Sequence, residues 1–141
     1  MERFISDDRG TIVVRLDHGD LLLESLQQVA DDEALDTAAI VTGFGALQRT
    51  HVHVGEWCEL PPKNRYIVHE GPMELCSLTG LIAGGSVHAH ITASDCDTTI
   101  AGHLEPETIV LYLTEIVLQV LPMSLTREMS PDALPLLRSG S

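Results

Sequence analysis

Apolar and polar positions alternate along most of this chain and recur at helical spacing only once, so the pattern predicts a sheet of several strands with one helix. Thr11-Ile-Val-Val-Arg-Leu16 reads as a strand, and Asp17-His-Gly-Asp20 follows as a turn whose last residue can cap a helix. Leu22, Leu26, Val29 and Ala30 mark the apolar stripe of an amphipathic helix running to about Leu35. Thr37-Ala-Ala-Ile-Val-Thr42 returns as a short apolar strand. Gly43-Phe44-Gly45 breaks it at a point where glycine permits positive φ or close backbone approach. Without the rest of a dinucleotide fingerprint, that GxG indicates a structural turn rather than a phosphate cradle. Alternation resumes over Gln48 to Gly55, Arg65 to His69 and Met73 to Ile82. After Pro106, Ile109-Val-Leu-Tyr-Leu113 and Ile116-Val-Leu-Gln-Val-Leu121 are nearly continuous in apolar residues, interrupted by Thr114-Glu115. A strand pair or one long strand buried on both faces accounts for this, with the helix on one side and another subunit on the other. From Ser124 to Ser141, the prolines at 131 and 135 and the final Arg-Ser-Gly-Ser predict at most a short helix and then a frayed end.

The chemistry lies between these segments. Ser86 to Ala93 and Thr98 to Leu104 read as two strands joined by Ser94-Asp95-Cys96-Asp97. If Asp95 opposes Thr98, His90 sits opposite His103 with Cβ atoms roughly 5 Å apart. His88 then shares their face, because side chains repeat with period two. A one-residue bulge in the turn would send His103 to the other face, so register decides the matter. Three imidazoles on one face make His88, His90 and His103 candidate ligands of a divalent metal, zinc first among them, with a fourth position open. Such an ion can anchor a small anionic ligand or activate a water. Glu105 would oppose His88 if pairing persists and is the candidate catalytic base, with Glu107 behind it; Pro106 threatens to end the ladder first.

Other titratable residues are given plainer roles. The second His-x-His, His51-Val-His53, is expected to face solvent while Val52 and Val54 face the core, and its nearest companion is Trp57. His18 and His69 read as loop histidines. Glu74 and Glu115 sit inside apolar strand patterns, where a buried carboxylate needs a partner or a shifted pKa. Arg15 or Arg65 is the expected partner, in a structural ion pair.

Composition narrows the function classes. The 141 residues suit one domain with a sizeable core. Twenty-one acidic residues against eight basic ones give a net charge of -13. Nucleic-acid affinity draws on Lys and Arg displacing counterions from phosphates, and no basic run or basic-aromatic stripe is visible. No apolar run reaches the roughly eighteen residues of a membrane span. Residues Met1 to Asp20 mix acids and bases where a signal peptide has an apolar stretch. A soluble, cytoplasmic protein is expected. Cys58, Cys76 and Cys96 lack CxxC spacing, so they read as buried or incidental thiols rather than a disulfide framework or zinc ribbon.

Several motifs in order carry a family resemblance: Arg15 with the Gly19-Asp20 turn, Gly43-Phe-Gly45-Ala-Leu47, Glu74-Leu-Cys-Ser-Leu-Thr-Gly80, His88-Ala-His90, Ala101-Gly-His103-Leu104 and Thr114-Glu115. Over roughly Ile12 to Val120 the chain resembles the PPC domain (plants and prokaryotes conserved) of the stand-alone prokaryotic type. The resemblance implies a single α+β domain, a mostly antiparallel, strongly curved sheet packed on one main helix, assembling as a homotrimer. Its core would span about 11–122, with 123–141 as a C-terminal tail. Prokaryotic members are commonly labelled predicted DNA-binding proteins, and in plants the domain accompanies AT-hooks. Two departures stand out. Ala101 replaces the first glycine of a Gly-Gly-His-Leu pattern, and Arg9-Gly10 has no following arginine and proline, so no AT-hook is present. The expectation is therefore a trimeric PPC-domain protein with a three-histidine metal site that binds a small anionic ligand or acts as a metal-dependent enzyme. A DNA-binding regulator, disfavoured by the charge, and a metal-free oligomeric interaction module are the alternatives.

Overall fold

Nearly every alternating segment becomes a strand in the computed structural model, which describes residues 1–140. β1 (Glu2–Ile5) and β2 (Thr11–Asp17) form an antiparallel hairpin, and α1 (Leu22–Asp32) follows. β3 (Thr37–Gly55) and β4 (Asn64–Ala83) pair along most of their length. β5 (Ser86–Ser94), β6 (Thr99–Leu104) and β7 (Ile109–Val120) complete a seven-stranded antiparallel sheet in the order β1-β2-β7-β3-β4-β5-β6. β8 (Leu125–Met129) and β9 (Pro135–Ser139) make a separate hairpin.

Period two decides which side chains enter the core. Ile12, Val14 and Leu16 of β2 are buried, as are Ile116 and Leu118 of β7 and Leu75 and Leu78 of β4. Against them α1 lays Leu22, Leu26, Val29 and Ala30. Gln27 ties the helix to β5: its Nε2 donates to Gly85 O at 2.7 Å, and its Oε1 accepts Val87 N–H at 3.1 Å. Asp20 does not cap the helix. Its Oδ2 instead accepts Asp17 N–H at 2.8 Å and closes the preceding turn, while the cap position falls to Leu21, which makes no side-chain bond. The helix stops short of Leu35 because Ala34 turns left-handed at φ 51°, yet Leu35 still packs into the core.

Gly43-Phe44-Gly45 does not end a strand, because β3 passes straight through it. A Cβ at Gly45, where φ is +152°, would collide with the Leu113 carbonyl oxygen and the Thr114 backbone, so glycine admits β7 at close range. Register against β7 slips between Ile40 and Thr42 and again between Gly45 and Leu47, and such bulges curve a sheet. The segments expected from Arg65 and from Met73 merge into β4, and those after Pro106 merge into β7. β7 is not covered on both faces: Tyr112 and Leu113 are 70% and 42% exposed. The tail is a hairpin rather than a short helix, anchored where Leu125 N–H donates to Thr37 Oγ1 at 3.0 Å. Of its frayed end, Ser141 lies outside the described residues.

Curvature brings the sheet back on itself. One edge of β3 pairs with β7 from Ala38 to Arg49, and farther along the same edge Val52 and His53 pair with Leu104 and His103 of β6. β3, β4, β5 and β6 therefore form a closed circuit. Thr108, fully buried, fills the gap between β6 and β7; its Oγ1 accepts His51 N–H at 3.0 Å and lies 3.1 Å from His51 O. Among the described residues, no helix is long and apolar enough to cross a membrane.

Candidate metal centre

β5 and β6 pair in the register that the turn chemistry requires. His90 lies opposite His103, and Ser94 opposite Thr99. Asp95 sets this by accepting the amides of Asp97 and Thr98 on Oδ1 at 2.8 and 2.7 Å, while its own amide donates to Thr98 O at 3.0 Å. His88, His90 and His103 consequently gather on one face. The ring centroids of His88 and His103 are 4.7 Å apart, those of His88 and His90 5.3 Å, and those of His90 and His103 5.4 Å. The Nε2 atoms of His88 and His90 are separated by 3.3 Å.

Closure of the strand circuit adds a fourth imidazole that the sequence pattern expects in solvent. His53 pairs with His103 across β3 and β6, stacks on it at 4.4 Å, and has only 19% of its side chain exposed. Gly102 makes this approach feasible, since a Cβ there would sit 2.6 Å from the His53 carbonyl oxygen. Ala101 is exposed. His51 stays out of the cluster; its Nδ1–H donates to Pro106 O at 2.8 Å. A histidine two residues from another, in a strand long enough to reach a second partner, was the available signal for His53.

Glu105 also departs from its expected position. The β5–β6 ladder ends at His90 and His103, so Glu105 does not oppose His88; its amide donates to His51 O at 3.0 Å along β3 instead. Its carboxylate, 17% exposed, accepts His53 Nδ1–H at 2.5 Å and lies 3.2 Å from His103 Nδ1. That contact is out of line for a hydrogen bond and leaves the buried His103 Nδ1 without a partner. Donor atoms of His53, His103 and Glu105 thus lie within 4.8 Å of one another. Glu107 is turned away by a left-handed φ of 66° and pairs with Arg49 at 3.0 Å.

The remaining expectations resolve simply. Glu74 and Glu115 are exposed, not buried, and neither forms an ion pair among the described residues; Arg15 bridges Glu2 and Asp17 instead. Cys58, Cys76 and Cys96 are free, exposed thiols rather than buried ones. His69 belongs to β4, 3.7 Å from Asp95. His18 lies in its turn, and its Nδ1 meets Leu111 O.

Burial, seconded by His103, Arg127, His90 and His53, pushes the His88 pKa down to about 4. Burial and then His53 lower that of His103 against the opposing pull of Glu105. His88 and His103 are therefore neutral at pH 7, with lone pairs available to a cation. A cavity of about 580 Å³ opens over the cluster, lined by His53, His88, His90 and His103 and by Ala133, Leu134 and Pro135 at the β8–β9 tip. Imidazole and carboxylate donors, with a buried nitrogen lacking a partner, fit a borderline cation such as zinc.

The family model for the Plants and Prokaryotes Conserved (PCC) domain matches residues 6–122. No curated protein matches the chain by sequence. Among similar solved structures, a candidate DNA-binding protein from Bacteroides thetaiotaomicron VPI-5482 shares 20% identity at a TM-score of 0.83, over 99% of this chain and 96% of that one. A plant- and prokaryote-conserved (PPC) protein from Pyrococcus horikoshii shares 22% at 0.77, over 99% and 96%. A metal-containing protein from Archaeoglobus fulgidus shares 18% at 0.75, over 99% and 97%. Identities this low speak for the fold, whereas the family match covers most of the chain and includes the hairpin that bears His88, His90 and His103: the chain belongs to the Plants and Prokaryotes Conserved domain family.

Proposed function

We propose that this protein, a single domain with an appended C-terminal hairpin, binds one divalent metal ion, zinc by donor chemistry, through His88, His90 and His103. The convergence of imidazoles at the floor of one cavity carries this reading. Tetrahedral zinc with Zn–N bonds of about 2.0–2.1 Å sets its nitrogens roughly 3.3 Å apart, which is the His88–His90 spacing. Glu105 lies 3.2 Å from His103 Nδ1, and a small rotation of the ring would bring the two into the carboxylate–histidine relation that orients metal-bound rings and leaves Nε2 for the ion. The compactness of His53, His103 and Glu105 favours a second donor set sharing His103. The bound ion would act as a Lewis acid toward a small anionic ligand or a water. Because Glu105 is engaged by His53 rather than free to take a proton, ligand binding is preferred here over metal-dependent hydrolysis. That a protein of similar fold from Archaeoglobus fulgidus contains metal supports the metal reading.

DNA binding, named for one of the similar structures, suits this surface poorly. The net charge is -13, and Arg3, Arg9, Arg15, Arg49, Lys63 and Arg138 are already paired with carboxylates. A homotrimer would cover the exposed Val41, Phe44, Tyr112 and Leu113, and three free exposed thiols suit the reducing cytoplasm.

Elemental analysis of tag-free protein tests the site. We expect near one equivalent of zinc per chain, lost in His103→Ala and His88→Ala and retained in His53→Ala. Loss in His53→Ala with retention in His88→Ala would select the second donor set, and absence of metal even after incubation with zinc would overturn both.

A further inference from the structure

The chain has 21 acidic and eight basic residues, yet among the described residues no aspartate, glutamate, lysine or arginine lines the cavity above the histidines. Imidazoles make its floor. Above them the wall is Val54 near the end of β3, Pro62 of the β3–β4 loop, and Ala133, Leu134 and Pro135 at the β8–β9 tip. Asn64 supplies the one other polar side chain among the described residues there. Pro62 and Pro135 are prolines and so present no backbone N–H to a ligand. Lys63, between Pro62 and Asn64, is engaged elsewhere: it pairs with Glu56 at 2.8 Å and lies 5.2 Å from the centre of the Trp57 ring. Leu134 is fixed on the wall by Ser130, whose Oγ accepts Leu134 N–H at 3.1 Å and whose N–H donates to Leu134 O at 2.8 Å.

We propose that this cavity takes a monocarboxylate with an apolar body, its carboxylate on the histidine-bound ion and its body against Pro62, Leu134 and Pro135. The seat of the head group rests on the metal reading above; the choice of body rests on the wall. A divalent ion on imidazole ligands attracts an anionic head, and it is the one positive charge the site would offer. A second anionic group on the ligand would lie against apolar side chains with no cation to meet it, and an unpaired charge taken out of water is costly. Methylenes or an aromatic ring in the same place gain by leaving water. At about 580 Å³ the cavity has the size of a small-molecule site, and an apolar lining with a few convergent polar groups is what such sites share. Leu134 is thereby a specificity residue, and the β8–β9 hairpin the element that presents it.

The test is calorimetric titration of tag-free, zinc-incubated protein with acetate, hexanoate and adipate, in wild type, Leu134→Ala and Leu134→Lys, with zinc content measured on the same samples. Adipate matches hexanoate in chain length but ends in a second carboxylate. Wild type is expected to bind hexanoate about tenfold or more tightly than either of the others, since each buried methylene adds about a factor of four. Leu134→Ala should weaken hexanoate at unchanged zinc content, and Leu134→Lys should turn the preference toward adipate by supplying the missing cation. Equal affinity for the three anions, a wild-type preference for adipate, or no binding of hexanoate by zinc-loaded protein overturns the proposal and leaves the metal reading intact. A hexanoate preference undiminished in both variants overturns the assigned wall. Zinc absent from every sample overturns the metal reading and the seat of the head group together. If Leu134→Lys melts early, Leu134→Ala decides: weaker hexanoate binding supports the apolar wall, and wild-type affinity overturns it.

Discussion

The His88 ring, half covered by the sheet and surrounded by three more imidazoles, gives the protein a distinctive response to acid. An unfolded chain protonates this histidine near its ordinary 6.5, while the folded chain resists until about 4. Between those values the unfolded state binds more protons, so stability of the metal-free protein falls as pH drops through that window and is complete above it. His103 acts in the same direction. The carboxylates held low by their partners, Asp8, Asp17, Asp32 and Asp95, lose their contribution only below 3.8. Melting temperature of metal-free protein should therefore decline steadily from pH 7 to 4.5, and His88→Gln should flatten the decline; parallel curves would refute the assignment. His88, His90 and His103 were legible in the sequence because one local hairpin and a period of two place them. His53 was not, because its partner strand lies far along the chain. Glu74 and Glu115 misled for another reason: apolar neighbours imply burial only where both faces of a sheet are covered.

Among elements, β3 does the most to build the site, and glycine decides how close its neighbours come. Gly102→Ala would drive a methyl toward the His53 carbonyl and push β6 from β3. We expect this to cost about 1–3 kcal/mol in denaturant unfolding and to weaken zinc retention, whereas Ala101→Gly, on the exposed side, should keep its zinc. Wild-type stability and zinc content in Gly102→Ala would contradict the account. The same logic explains why Gly43 to Gly45 reads locally as a break and folds as a bulge. A residue's own φ freedom is visible in sequence, but the strand that approaches it is not. Pro135 misled similarly: proline opposes helix, yet it is tolerated at the first position of β9.

For the whole molecule, charge and uncovered apolar surface point in different directions: repulsion from polyanions, and association with copies of itself. Val41, Phe44, Tyr112 and Leu113 remain exposed in the isolated chain. Light scattering should give three times the 15.3 kDa of one chain, reduced to a single chain by Tyr112→Asp; a monomeric wild type would dismiss the trimer. Fold class was legible at this scale because alternation dominates the sequence, while the meeting of β3 with β6 was not, since it follows from accumulated curvature rather than any local motif. That meeting has a further consequence. Strands joined in a closed circuit cannot slip singly, so positions 53, 88, 90 and 103 keep their mutual addresses whatever side chains occupy them. The frame thus works as a keyed socket, in which point changes can swap one donor set for another, or for none, while the wiring around it stays the same.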